Sequence, residues 1–190
     1  TRLTKVTGVQ TCALPILSIE FRAVSVERAV EIMRAWASRR WPLSVEEGVS
    51  AYTGLGFHSS PDDRTLFTSD MSPTRADSYF VVEGNRVAEG SLRLSNWVPE
   101  ECWADSLPKS RAIFAEYVRV YTGALGEPFS SEDEGTDFSC RWILDNMVTI
   151  ELAGNEAFLE LSFDSPEGTA DLLDEIAMEE RGETIGEDYF

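Results

Sequence analysis

The stretch DFSCRWILDNMVTIELAGNEAFLELSF, residues 137–163, constrains the fold more than any other part of the chain. Two turn-forming pairs, Asp145-Asn146 and Gly154-Asn155, divide it into short runs. The runs predict three strands, over residues 137–144, 147–152 and 157–163. Strands joined by such short turns form a meander, and we therefore predict an antiparallel sheet.

A second strand region lies earlier in the chain. The pattern predicts strands over residues 57–60, 64–69, 78–82 and 86–97. The cluster Glu83-Gly84-Asn85 is a hairpin turn between the last two of them. Farther along, alternation places Leu92 and Leu94 on one face of their strand. One apolar face and one wet face are typical of an antiparallel sheet.

Capping residues mark the first two helices. Ser25 is the expected N-cap of a helix that ends at Trp41-Pro42, because proline restricts the residue before it. Ser44 and Glu47 have the spacing of a capping box, in which each side chain accepts a backbone N–H of the other residue. The second helix then stops near Gly54.

The clearest helix is KSRAIFAEYVRVYTGALG, for which we place Pro108 in the first turn and Gly126 at the stop. Its apolar stripe consists of Ile113, Phe114, Tyr117, Val118, Tyr121 and Leu125. We expect residues 130–135 to form an acidic loop. Ser165-Pro166 introduces a last helix. That helix is expected to bury Leu172, Leu173 and Ile176.

This order of elements predicts an α+β fold, with an antiparallel sheet of about five to seven strands in two meanders and helices packed mainly on one face. Helical material followed by a meander occurs at 25–97 and again at 108–163, which is compatible with a duplication or with a domain that has no repeat. We favour the second interpretation because the two halves share little residue-level similarity. We predict one domain over residues 17–178 and an acidic tail over 179–190.

The segment VTGVQTCALPI, residues 6–16, shows neither helical nor strand periodicity. It resembles the translation of a short-read sequencing adapter. We therefore interpret residues 1–16 as an artefactual or disordered leader and exclude them from the prediction of the fold.

The charge of the chain limits its partners. The sequence has 34 acidic and 16 basic residues, a formal net charge of −18. Residues 1–16 contain two of the basic residues and no acid, so the remainder carries 14 − 34 = −20. Such a field repels nucleic acids and anionic membranes and attracts a basic protein, although solubility alone would also explain it. The two cysteines of this part, Cys102 and Cys140, favour a cytoplasmic protein with free thiols over a disulfide framework.

The sequence contains no strong catalytic or ligand motif. His58, the single histidine, precedes Ser59 and Asp62, but neighbours in a turn rarely converge as a catalytic triad. We interpret His58 as a surface or strand-edge residue. The paired carboxylates are expected on solvated faces, and the acidic loop lacks the spacing of an EF-hand. We expect no catalytic residue, no cofactor and no metal site.

Tryptophans supply the candidate interface. Trp36 and Trp142 fit core positions, whereas Trp97 and Trp103 flank Pro99-Glu100-Glu101-Cys102 in a predicted loop. Aromatic rings beside acids are either an interface or a lid folded back on the core. The candidate interface residues are Trp97, Glu100, Glu101, Trp103, Asp174, Glu175 and Glu179.

Four stretches carry a resemblance to a known family: ERAVEIMRAWASRRW, GLGF, TGALGEPF and DFSCRWILDNMVTIEL. With these features the chain resembles an actinobacterial family of small acidic proteins of unknown function, over most of residues 19–178. Small acidic α+β proteins of this kind are similar to the immunity proteins of bacterial toxin systems. The resemblance implies no catalytic activity.

These observations lead to three functional hypotheses. The first is a non-enzymatic protein-binding module, in its specific form an immunity protein that neutralises a basic toxin. The second is an acidic secretion-type chaperone, which would form a homodimer. The third is an enzyme that uses carboxylates around a pocket near His58. The oligomeric state stays open.

Overall fold

The computed structural model describes residues 19–182, so the predicted leader and the last residues of the predicted tail lie outside the described part. It confirms the α+β class, with four helices and one antiparallel sheet of eight strands. The helices are α1 (Val26–Ala37), α2 (Val45–Gly54), α3 (Trp103–Leu125) and α4 (Pro166–Glu180). Within the described range, none of them combines the length and the apolar content that a bilayer crossing needs.

The sheet has one strand more than the upper limit of the prediction. The strands are β1 (His58–Ser59), β2 (Leu66–Thr68), β3 (Ser78–Glu83), β4 (Arg86–Arg93), β5 (Ser130–Asp133), β6 (Phe138–Ile143), β7 (Thr149–Gly154) and β8 (Leu159–Asp164). The extra strand is β5, and the prediction of a loop there was wrong. Its backbone pairs with β6, from Ser130 opposite Arg141 to Asp133 opposite Phe138. Because this strand lies at the edge of the sheet and its side chains are largely exposed, it needs no apolar pattern.

The strand order is β1-β2-β3-β4-β8-β7-β6-β5. Each half of the sheet is a four-stranded meander, and the last strands of the two meanders, β4 and β8, pair in the middle. In the hairpin between β3 and β4, Gly84 and Asn85 both have positive φ angles, of 53° and 70°. These angles are the ones that a tight two-residue hairpin turn requires, as the predicted turn implies.

The main core lies on one face of the sheet. Register places Leu92, Leu161, Leu152 and Cys140 in one row across four strands. Helices α1, α2 and α3 cover this face with aromatic side chains. Trp36 stacks on Phe163 with ring centroids 3.8 Å apart. Both Trp36 and Trp142 are buried, which confirms their predicted core positions.

The N-caps of α1 and α2 follow the sequence prediction, but α1 ends at Ala37 rather than at Trp41-Pro42, and the start of α3 also differs. Ser25 caps α1, and Ser44 and Glu47 form the complete capping box of α2. Helix α3 begins at Trp103, directly after a short 3-10 helix (Glu100–Cys102), so the predicted start near Pro108 was wrong. The proline is tolerated inside the helix because it removes only one backbone hydrogen bond close to the helix start.

Helix α4 lies against the other face of the sheet. Thr169 in its first turn hydrogen-bonds Thr149 at 2.8 Å, and Thr149 points away from its core-facing neighbour Ile150. The prediction that α4 buries Leu172, Leu173 and Ile176 was wrong, because all three stay half-buried outside the main core. The opposite face of the sheet is largely polar, and it offers these side chains no continuous apolar surface.

Candidate partner-binding site

Trp97 lies just beyond β4, and its side chain is 57% exposed. The residues on either side, Asn96 and Val98, are buried. The backbone N–H of Asn96 donates to the carbonyl of Arg22 at 3.0 Å, and that of Val98 donates to Ala157 at 2.9 Å. A large apolar ring is therefore presented to solvent from a backbone that is fixed on both sides.

The side chain of Asn96 connects this segment to the chain before α1. Its Oδ1 accepts the backbone N–H of Arg22 at 2.6 Å, and its Nδ2 donates to the carbonyl of Glu20 at 3.1 Å. This pairing holds the first described residues beside Trp97. Among them Ile19 is 47% exposed, and it forms a second apolar side chain at this end of the sheet.

Between these segments and the loop that joins β2 to β3 lies an open cleft of about 570 Å³. Its apolar lining comes from Ile19, Met71, Pro73, Ala76 and Trp97. Its charged lining comes from Arg22, Arg75, Asp77 and Arg93. A volume of this size falls within the range of ligand pockets, roughly 300–1,000 Å³. The cleft therefore combines apolar walls with a few charged groups.

Arg93 is the most buried charged group of the cleft. Its guanidinium carbon lies 3.9 Å from the centroid of the Phe158 ring, and one nitrogen is 3.8 Å from a carboxylate oxygen of Glu160. Its Nε and Nη1 are buried and have no hydrogen-bond partner among the described residues. Burial lowers the pKa of Arg93, while the carboxylates of Glu160 and Asp77 raise it. The positive charge is thus removed from water and incompletely compensated.

The carboxylate of Asp77 accepts hydrogen bonds from two neighbouring hydroxyl groups. Ser69 donates to Oδ2 at 2.7 Å, and Ser78 donates to Oδ1 at 3.1 Å. Burial raises the pKa of this carboxyl above its usual value, and the two hydroxyl hydrogen bonds oppose that shift. Asp77 therefore holds the loop that precedes β3 against the sheet.

The structure places the seven predicted interface residues in two groups. Glu100 and Glu101 are exposed in the 3-10 helix that closely follows Trp97. Trp103 is instead folded back on the core, and its Nε1 donates to the carbonyl of Val98 at 2.9 Å. Of the two alternatives for this pair of rings, exposure thus applies to Trp97 and folding back applies to Trp103.

The other three predicted interface residues, Asp174, Glu175 and Glu179, are exposed on α4. This helix begins near the start of β4, where the N–H of Ser165 donates to the carbonyl of Ala88 at 2.7 Å. Trp97 lies past the other end of β4. The start of α4 and Trp97 are therefore at opposite ends of the sheet. Whether any of the seven residues binds a partner stays a prediction.

The remaining polar candidates are dispersed. His58 is exposed on the edge strand β1, as expected, and Asp63 accepts two hydrogen bonds from Thr65. Asp133 pairs with both terminal nitrogens of Arg111, whose hydrogen bonds lower the pKa of Asp133 to about 2. Within residues 19–182, no three His, Cys, Asp or Glu side chains are arranged to hold a metal ion. Cys102 and Cys140 are both free.

The polar face of the sheet, against which α4 lies, carries a row of charges around Asp164. Register places Glu89 of β4 directly opposite Asp164 of β8. On the other side of β8, Arg141 of β6 donates to Glu151 of β7 at 2.9 Å. Burial, followed by the charges of Glu89 and Glu151, raises the pKa of Asp164 to about 6, and Arg141 opposes that shift. This carboxyl consequently keeps its proton to a higher pH than an ordinary aspartate does.

Sequence reasoning identified Trp97 but missed the cleft beside it. Its other lining residues, among them Ile19, Arg75 and Arg93, come from three distant segments of the chain. The sequence contains one signal for one of these lining residues, Arg93. The alternation that placed Leu92 and Leu94 on the core face also places Arg93 on the opposite face.

Residues 27–165 match a family of unknown function, DUF6301. This match confirms the prediction that the chain resembles a family of unknown function. No curated protein and no solved structure matches the chain. The actinobacterial origin and the likeness to immunity proteins stay predictions.

Proposed function

The chain belongs to the family of unknown function DUF6301, and we propose that it is a protein-binding module whose anchor is Trp97. The observation that carries this proposal is a 57% exposed indole on a fixed backbone, at the rim of a cleft of about 570 Å³. Buried aromatic anchors dominate the binding energy of many protein interfaces.

The fixed backbone matters because binding must outweigh the entropy lost when groups become ordered. Asn96 and Val98 are buried and hydrogen-bonded before any partner arrives. The backbone that carries the Trp97 ring therefore loses little conformational entropy when a partner binds, and this favours affinity. Ile19 and Met71 extend the apolar surface beside the ring.

Charge supports a basic partner. The net charge is −18, and Glu100 and Glu101 are exposed close to Trp97. Such a field speeds the diffusional encounter with a positively charged protein. The specific form of the proposal is an immunity protein that neutralises a basic toxin in the cytoplasm. The chaperone and carboxylate-enzyme hypotheses stay predictions, since no observation on the described residues favours either.

The test is selection of linear peptides from a random displayed library on the immobilised full chain, followed by affinity measurement with synthetic peptides. We expect Trp97→Ala to weaken the selected peptides about tenfold or more, as for an interface anchor. Phe129→Ala is the matched control, because Phe129 is 51% exposed and does not line the cleft. Failure to select any binding peptide, or equal effects of the two variants, would overturn the proposal.

A further inference from the structure

We propose that the cleft beside Trp97 receives an acidic side chain, aspartate or glutamate, from an extended partner segment whose flanking residues are apolar. This inference rests on the proposed function, because it names the chemistry of the segment that Trp97 anchors. The observation behind it is a local reversal of charge. Three arginines and one carboxylate line the cleft, in a chain whose net charge is −18.

The first argument is that two of these arginines are free. Seven of the fourteen Lys and Arg side chains in residues 19–182 are paired with carboxylates, in the pairs Arg28–Glu31, Arg64–Glu46, Arg86–Glu167, Arg93–Glu160, Lys109–Glu20, Arg111–Asp133 and Arg141–Glu151. Arg22 and Arg75 form no ion pair within residues 19–182, although both are exposed. In a chain with twice as many acids as bases, unpaired arginines on one cleft leave a positive site that an anion can occupy.

The second argument is the state of Arg93. Its side chain is only 17% exposed, and the single ion pair that it makes has a separation of 3.8 Å. Two of its three nitrogens lack an acceptor in the described structure. A buried charge is stabilised by a nearby opposite charge. A carboxylate entering the cleft would add one.

The third argument is that the only carboxylate of the lining is already engaged. Asp77 accepts hydrogen bonds from Ser69 and Ser78 and holds the loop before β3. These hydrogen bonds leave the charge of Asp77 in place, so one lining carboxylate, together with Glu160 at 3.8 Å from Arg93, compensates the three arginines only in part. A segment that entered the cleft with a basic side chain would face three like charges.

The walls of the cleft determine what surrounds the carboxylate. Ile19, Met71, Pro73 and Trp97 are apolar and lie on three separate segments of the chain. Apolar side chains on either side of the acid would be removed from water by these walls. The occupant is thus an amphipathic segment, which neither a bare anion nor a purely acidic run would match.

The cleft and the surrounding field have different roles. The overall negative charge acts at long range and favours a partner that is basic as a whole. The arginines act only at contact, where they select the part of that partner that carries an acid among apolar residues. The long-range negative field would speed the encounter with the partner, and the arginines of the cleft would fix the register in which its segment binds.

The test compares two double variants of the full chain, measured with the peptides selected on the wild type. Arg22→Glu with Arg75→Glu reverses the charge of the cleft. Arg34→Glu with Arg119→Glu makes the same change of net charge on exposed helix positions outside it. We expect the selected peptides to contain an acid flanked by apolar residues. The cleft variant should weaken them about tenfold or more, and the control variant less than about twofold.

Each other result has a defined meaning. Basic selected peptides, or equal effects of the two double variants, would overturn the inference, while loss of binding in Trp97→Ala would still support the proposed function. Selected peptides are also measured with an amidated C-terminus. Binding that requires the free terminal carboxylate would overturn the assignment to an acidic side chain. If no peptide is selected, both proposals fail.

Discussion

Replacing Asp164 by Asn should stabilise the protein at neutral pH and remove part of its pH dependence. Asp164 ends β8, faces Glu89 across the central strand pair, and has a pKa raised to about 6 by burial first and then by Glu89 and Glu151. Its ordinary pKa is 3.8. The folded protein therefore holds the proton of this carboxyl more tightly than the unfolded chain does.

The sign and size of the effect follow from this difference. Well below its ordinary pKa of 3.8 the carboxyl is protonated in both states and does not oppose folding. As the pH rises from 4 to 6 the unfolded chain ionises first, so the free energy of unfolding falls, and above pH 6 the whole penalty is present. A difference of about two pKa units corresponds to ~3 kcal/mol at 1.36 kcal/mol per unit. Because the carboxyl keeps some access to solvent, we expect about 1–2 kcal/mol.

The assay is urea denaturation between pH 4 and pH 8, with Asp171→Asn as the control. Asp171 is exposed on α4, and its replacement should change the free energy of unfolding by less than about 0.5 kcal/mol. Asp164→Asn should exceed the stability of the wild type by less than about 0.5 kcal/mol near pH 4 and by about 1–2 kcal/mol at pH 8. A variant that is equally or less stable than the wild type at pH 8 would refute the reasoning.

Two further predictions concern packing and association. Gly90→Ala should destabilise the protein by about 1–3 kcal/mol, because the added Cβ would lie 2.5 Å from Cζ of Phe163. At Gly123 an added Cβ meets nothing within 4 Å, so Gly123→Ala should stabilise α3 by up to about 1 kcal/mol. The two variants are compared by thermal denaturation, and a Gly90→Ala variant that is at least as stable as Gly123→Ala would contradict the described packing. Reversing five exposed acids to lysine should slow association with a basic partner, most strongly at low salt. Stopped-flow rates that stay unchanged at low salt would count against electrostatic steering. The five positions are Glu100, Glu101, Asp174, Glu175 and Glu179.

The parts of the fold that sequence predicts well are those fixed by local interactions. Ser25 and Ser44 cap their helices through residues three positions away, so that the signal and its cause lie in the same short segment. The hairpin at Gly84 and Asn85 is equally local. Trp36 and Trp142 follow from periodicity, which identifies the buried face of an element without specifying its neighbour.

The errors occur where distant segments decide the outcome. Strand β5 exists because the backbone of β6 is available to pair with it, which the acidic sequence of β5 does not indicate. Helix α4 has an apolar stripe, but its first turn is bound through Thr169 to the polar face of the sheet. The cleft was missed for the same reason, since Ile19, Arg75 and Arg93 meet only in the folded chain.

The two margins of the sheet limit how this protein can associate with other chains. At one margin β1 has only two residues, too few to template a further ladder of backbone hydrogen bonds. At the other margin β5 presents Glu132 on an exposed strand, and a charged side chain on an edge strand disfavours pairing with a second copy. Both margins therefore disfavour fibre-like growth by strand addition. We therefore expect the proposed partner to dock on a helix, on the polar face, or at the tryptophan end of the molecule.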